Sequence, residues 1–217
     1  MNLTALTVSS MKCVIFAGGT DLGFTPPISP EDFVIAADAG YAACRARGIM
    51  PDLAVGDWDS LGDMAIECQR EDLPVDKDDT DTLAAIRIGI DKGFQEFHIC
   101  CGTGGRIDHT IANMQCLVFL SKQGKRGFLY DEVSVVTAVT EGEIRFAASA
   151  KGGVGVFAAD GTARGVTVKG LKYTLENAVL TGDFPVGVSN SFTGEESVIA
   201  VKKGTLYVVF PTGVFPI

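Results

Sequence analysis

The chain has 217 residues, 47% apolar and 21% charged, which supplies a real core and excludes a disordered polymer. With 27 acidic against 18 basic side chains the formal charge is −9, which excludes nucleic acid as a partner, because phosphate backbones need a basic footprint. No run approaches the ~20 apolar residues that span a bilayer.

Met1 to Ser10 lacks the basic and apolar blocks of a signal peptide, so the fold is expected to start near Met11-Lys12. Cysteines 13, 44, 68, 100, 101 and 116 form no C-x-x-C pair and sit mostly in apolar runs, which points to a reducing, cytoplasmic setting without membrane partners. Cys13 to Ala17 reads as a buried strand ending in Gly18-Gly19, and Phe33 to Ala37 as a second ending at Asp38. A helix over Tyr41 to Arg47 stops at Gly48. Leu53 to Val55 is a third strand, ending at Asp57. Thr80 and Asp81 open a helix with Leu83, Ile86 and Ile90 at helical spacing. Phe97 to Cys101 is a fourth strand, followed by Gly102-Thr103-Gly104-Gly105-Arg106. The next helix begins near Asp108, carries Ile111, Met114 and Val118 on one side, and ends at Gly124.

Short apolar strands alternating with helices predict an α/β domain with a mostly parallel sheet, whose ligands sit outside the carboxyl ends of the strands. The pattern changes between Asp131 and Thr140. Beyond it come short strand-like segments such as Val154 to Phe157, Val166 to Val168, Ser197 to Val201 and Leu206 to Phe210, separated by turns. Residues 1–132 are therefore expected to form the α/β domain and residues 138–217 a small antiparallel β-sandwich.

The charge is unevenly spread. Residues 52–81 hold eleven acidic and two basic side chains, a balance of −9 that accounts for the whole net charge. Gly56-Asp57-Trp58-Asp59-Ser60 places an Asp-x-Asp pair at a strand end, and Asp76 to Asp81 forms a second acidic knot. Such hard oxygen donors suit Mg²⁺, which takes one or two carboxylates together with phosphate oxygens and water; a solvated acidic turn is the plain alternative. Asp81 at a helix start also fits a capping role. Gly102 to Arg106 is a glycine-rich strand-to-helix loop of the kind whose backbone approaches phosphates, with Arg106 placed for bidentate pairing. Asp108 fits a helix cap, His109 and Asn113 share a helix face, and His98 in its buried strand reads as structural.

Taken in series, Gly56-Asp57-Trp58-Asp59-Ser60, Asp78-Asp79-Thr80-Asp81, Gly104-Gly105-Arg106-Ile107-Asp108-His109 with Asn113, and Ser189-Asn190 resemble the thiamine pyrophosphokinase family from about Lys12 onward. That resemblance implies a homodimer that transfers the terminal diphosphate of ATP to the hydroxyl of thiamine with Mg²⁺. It implies further that Asp57, Asp59 and Asp81 surround Mg²⁺ and the polyphosphate, with Asp38 on the same rim. Arg106, Asp108, His109 and Asn113 then belong to the nucleotide site, and Ser189 and Asn190 to the thiamine site. Trp58 stands where the family usually has phenylalanine. A lysine that some members carry after the Thr-Asp pair is replaced by Leu83-Ala84-Ala85, which shifts phosphate neutralisation toward Mg²⁺, Arg106 and Lys77. The alternatives weighed are a pyrophosphokinase on another alcohol such as a hydroxymethylpterin, an Asp-x-Asp phosphohydrolase, and a non-catalytic nucleotide- or thiamine-binding module.

Overall fold

The computed structural model describes residues 11–58, 64–74 and 78–217. Its first half is organised by short apolar strands. These are β1 (Cys13–Phe16), β2 (Phe33–Ala37), β3 (Leu53–Gly56), the polar strand β4 (Gln69–Asp72), β5 (Glu96–Cys100) and β6 (Arg126–Tyr130). All pair parallel with their neighbours, in the order β6-β5-β1-β2-β3-β4. Except for β4 they are buried almost throughout, as a sheet covered on both faces requires.

Helices α2 (Asp81–Asp91) and α3 (Ile107–Lys122) cover one face, where Ile86, Leu117 and Leu120 pack on Ile15, Ile35, Phe97 and Ile99. Helix α1 (Gly40–Ala46) puts Tyr41 and Cys44 on the other face, against Phe16 and Ala36. His98 is buried in this second face between the Tyr130 hydroxyl (2.6 Å) and the Glu96 carboxylate (2.8 Å), which fits its structural reading.

Two features go beyond what the sequence pattern signals. Strand β4 is a run of four exposed polar residues, Gln69 to Asp72, without the apolar signal of a buried strand. Helix α3 buries Asn113, Cys116, Leu117 and Leu120 most deeply; Met114 and Val118 are half-buried against the same core, and Ile111 is 53% exposed. The helix is apolar on most of its circumference, so periodicity could not choose the inward face.

At Asp131 the chain turns tightly, with the Asp131 N–H donating to the Ser134 carbonyl (2.8 Å). The same sheet then continues antiparallel through β7 (Ser134–Thr140), β14 (Thr205–Pro211), β9 (Gly153–Ala158) and β12 (Asn190–Ser191), to ten strands in all. A second antiparallel sheet of β11 (Leu175–Thr181), β10 (Thr162–Lys169), β13 (Ser197–Ala200) and β8 (Glu143–Phe146) packs on this extension. Val166, Val168 and Ile199 meet Val154, Val208 and Phe210 across the interface, with Phe146 edge-on to Phe210 at 5.0 Å. The expected sandwich is thus present, and one of its two sheets is the α/β sheet itself. No described helix is long and apolar enough to cross a membrane.

Two glycines of α1 separate packing from backbone strain. A methyl at Gly40 would overlap the Phe16 carbonyl oxygen, whereas Gly48 has φ +68° and open space around it. Gly40→Ala is expected to cost at least ~2 kcal/mol by steric conflict and Gly48→Ala about 1 kcal/mol by left-handed strain alone, read as shifts in the urea midpoint.

Candidate active site

The carboxyl ends of β1, β2, β3 and β5 meet because several residues there lack side chains. Gly40 lets α1 begin directly above the end of β1. A Cβ on Gly56 would lie 3.2 Å from that of Asp38, and the Asp38 N–H donates to the Val55 carbonyl (2.8 Å). The ends of β2 and β3 are thereby drawn together, and half-buried Asp57 follows Gly56 immediately. Asp38 itself holds a left-handed backbone, φ +47°, an uncommon conformation outside glycine. Asp81 is the first residue of α2. The helix is capped by Thr80, whose Oγ1 accepts the Leu83 N–H (3.2 Å), so the cap does not depend on the Asp81 carboxylate.

On the other side of the cleft, the loop after β1 and the loop after β5 are zipped together. Gly19 N–H donates to Cys101 O (2.8 Å), Thr20 N–H to Thr103 O (3.1 Å), and the Asn113 amide to Gly102 O (2.8 Å). Gly104 and Gly105 follow with φ +76° and +65°, and a Cβ on Gly104 would stand 2.7 Å from Thr20 Oγ1. Arg106 then occupies the N-cap position of α3. These loops and the Asp38–Asp81 side enclose a cleft of about 520 Å³.

Of the residues expected from sequence, Asp38, Asp81, Arg106, His109 and Asn113 line this one cleft. Asp57 stands beside it through Gly56. Asp108 sits at its mouth, where Arg106 Nη2 and Nε donate to its two oxygens (2.6 and 3.2 Å) and Asp108 Oδ1 takes the His109 N–H (3.0 Å). The guanidinium holds the Asp108 carboxyl below its usual range. Asn113 is buried and its amide supports the loop from below. Asp59 and Lys77 lie outside the described residues. Trp58 finds a role: its indole N–H donates to Asp72 Oδ1 (2.6 Å) and Arg70 lies over its ring at 5.7 Å, tying the acidic turn to edge strand β4.

Ser189 and Asn190 are elsewhere. Strand β12 is five strand spacings from β5, roughly 24 Å at ~4.8 Å per strand. Asn190 Oδ1 accepts the N–H groups of Tyr173 and Ser191 (2.9 Å each) and its Nδ2 donates to Tyr173 O (2.7 Å). Sequence reasoning missed Gly18-Gly19-Thr20 and the threonines Thr80 and Thr82, all on the cleft wall. The Gly-Gly-Thr run directly after the first strand was the available signal, read only as a strand terminator.

Among the described residues no three Asp, Glu, His or Cys side chains form a ready-made metal cage. Asp38 and Asp81 line the cleft opposite a backbone-lined loop, and Asp57 follows the end of β3. Such an arrangement suits a cation that completes its shell with phosphate oxygens and water.

The family model for the thiamin pyrophosphokinase catalytic domain matches residues 26–129, and that for the thiamin pyrophosphokinase vitamin B1 binding domain matches residues 142–206. A curated thiamine pyrophosphokinase of Bacillus subtilis (strain 168) is 27% identical over 185 residues, covering 82% of this chain and 86% of that protein. A solved thiamine pyrophosphokinase from Bacillus subtilis superimposes with a TM-score of 0.83 at 24% identity, over 93% of this chain and 99% of that one. A thiamin pyrophosphokinase family protein from Enterococcus faecalis gives 0.77 at 25% identity, over 94% and 99%. The enzyme from Candida albicans shares the fold at 13% identity, with a TM-score of 0.75 over 92% and 89%. With both of the family's domain models matched in order along the chain, and the cleft formed where their shared sheet ends, this protein belongs to the thiamine pyrophosphokinase family.

Proposed function

We propose that the chain is a thiamine diphosphokinase, transferring the terminal diphosphate of ATP to the hydroxyl of thiamine and releasing AMP. The observation that carries this is the cleft in which an acidic rim faces a glycine loop and Arg106. Residues 1–132 hold the nucleotide and metal, and residues 138–217 supply the thiamine site.

The alcohol oxygen attacks the β-phosphorus, the bond from that phosphorus to the oxygen retained by AMP breaks, and the hydroxyl proton leaves. The backbone of Gly102, Gly104 and Gly105 approaches the polyphosphate closely, because these cleft residues carry no side chain. Arg106 exchanges its exposed partner Asp108 for a phosphate, a swap of one charge-assisted bidentate pair for another. Asp38, Asp57, Asp59 and Asp81 offer the hard oxygens that Mg²⁺ takes; when bound, it offsets the repulsion between this rim and the polyphosphate. Asp59 or Asp81 accepts the departing proton. Catalysis is chiefly positioning and charge neutralisation.

Two further features support a homodimer. Ser189 and Asn190 lie far from the cleft of their own chain, and Ile107 and Ile111 on α3 beside the cleft are 77% and 53% exposed. All six cysteines are free thiols, which supports a cytoplasmic setting.

Incubation with Mg-ATP and thiamine should yield AMP and thiamine diphosphate in equal amounts; ADP or free phosphate as the nucleotide-derived product would sink the proposal. Asp81→Asn should lower kcat by at least ~100-fold with an unchanged melting temperature. Arg106→Ala should raise the KM for ATP by about tenfold at unchanged stability, because its present ion pair is exposed and contributes little. If the partner's Ser189-Asn190 turn completes each cleft, mixing inactive Asp81→Asn with inactive Ser189→Tyr chains should restore about a quarter of wild-type activity. That fraction follows from half the dimers being mixed, each with one intact site.

A further inference from the structure

The loop that carries Arg106 contains three left-handed residues, Cys101 at φ +54°, Gly104 at +76° and Gly105 at +65°. Two glycines in succession give little stiffness of their own, so its course has to be imposed from outside. On the cleft side the loop after β1 imposes it, through the main-chain bonds of Gly19 and Thr20 to Cys101 and Thr103. From beneath, Asn113 holds the Gly102 carbonyl. On the side turned away from the cleft, the Thr103 hydroxyl donates to Asp131 Oδ1 at 2.7 Å. Asp131 directly follows β6, and its own N–H is anchored on Ser134 O (2.8 Å), so the acceptor is fixed to the sheet. Thr103 is thus held at both ends, its carbonyl by Thr20 and its side chain by Asp131, immediately before the two left-handed glycines.

We propose that Thr103 and Asp131 form a positioning pair that aims Gly104, Gly105 and Arg106 at the polyphosphate. The inference rests on the diphosphokinase reading of the cleft. Neither residue touches the nucleotide; the pair acts through the loop. A hydroxyl bonded to a carboxylate is among the stronger neutral-to-charged bonds, and this one is half-shielded from water. Thr103→Val keeps the shape and removes the donor, Thr103→Ser keeps the donor, and Asp131→Asn keeps an acceptor without the charge.

The test measures binding of a non-hydrolysable Mg-ATP analogue by calorimetry, beside steady-state kinetics and melting temperature. Thr103→Val and Asp131→Ala are each expected to weaken analogue binding and raise the KM for ATP by about tenfold, with the KM for thiamine unchanged. Thr103→Ser is expected to restore both values to within about twofold, and the Thr103→Val/Asp131→Ala double variant to be no worse than either single one. Additive losses in the double variant, or wild-type analogue binding by Thr103→Val, overturn the pairing. Should Thr103→Val not fold, Asp131→Asn carries the test: a small loss restricted to the nucleotide supports the pair, and wild-type values together with wild-type binding by Asp131→Ala overturn it. A wild-type chain that binds the analogue yet makes no AMP defeats the diphosphokinase reading while the binding comparison still decides this one. A wild-type chain that binds no nucleotide overturns both.

Discussion

The pairing of β1 with β5 does not stop where the strands do, and the rest of the site depends on that. Phe16 lies opposite Cys100 at the end of the regular ladder, and the loops then continue the exchange through Ala17, Gly19 and Thr20. A parallel ladder can be prolonged into two loops only if the backbones come close. Gly19 meets this condition, since a Cβ there would lie 2.8 Å from Thr103 O, and Gly104 meets it opposite Thr20. The result is a flat backbone floor at the strand ends, with the space above it open. Side chains play little part in that floor. They enter from its rims: Asp38 after β2, Asp81 from α2 and Arg106 from the start of α3.

That arrangement gives physical sense to the concentration of charge in residues 52–81. On the diphosphokinase reading, an acidic rim beside the polyphosphate is repulsive on its own, so such a cleft would favour the cation-bound anion over the bare one. Among the described residues the carboxylates do not close around a point, so on that reading much of a bound cation's shell would come from the ligand and water. Arg106 is kept ready at little energetic cost. Its pair with Asp108 is exposed on both sides, with side chains 74% and 62% accessible, and such pairs are worth little in water. Replacing the carboxylate by a phosphate therefore meets no large barrier of desolvation.

Much of this was legible in the sequence where burial and chemistry point the same way. The buried strands β1, β2, β3 and β5 announce themselves as apolar runs, and the turns at Gly48 and Gly124 as left-handed glycines, φ +68° and +71°. The acidic and glycine-rich strand ends were readable because parallel sheets place such turns at one edge. Legibility failed where one residue type has two uses. Asn113, which the sequence placed only on a shared helix face with His109, is buried because its amide serves a loop carbonyl, and with it the inward face of α3 turns toward Cys116 and Leu117. Strand β4 carries only Gln69, Arg70, Glu71 and Asp72, a polar edge that discourages further pairing and shows no periodic apolar signal. Asp38 was placed on the rim by resemblance, but its left-handed turn packs against Gly56, eighteen positions away in the chain and adjacent only in the fold. Trp58 could not be assigned from sequence, since its partners Arg70 and Asp72 belong to the unseen strand.

The continuity of the large sheet also constrains how thiamine reaches the cleft. If the sandwich were a separate body on a linker, it could fold back over the strand ends and bring its own Ser189-Asn190 turn to the nucleotide. It is not separate: β6 and β7 are hydrogen-bonded neighbours, with Tyr130 opposite Val135, and β14 and β9 extend the same ladder. The turn is further pinned, because Asn190 spends its amide on both backbone groups of Tyr173. A continuous sheet keeps this turn some 24 Å from the cleft of its own chain. If Ser189 and Asn190 hold thiamine, as we propose, the acceptor half of each site comes from a second copy of the chain. Dimerisation then becomes a condition of turnover, and dilution below the dimer's dissociation constant should abolish activity without unfolding the subunit.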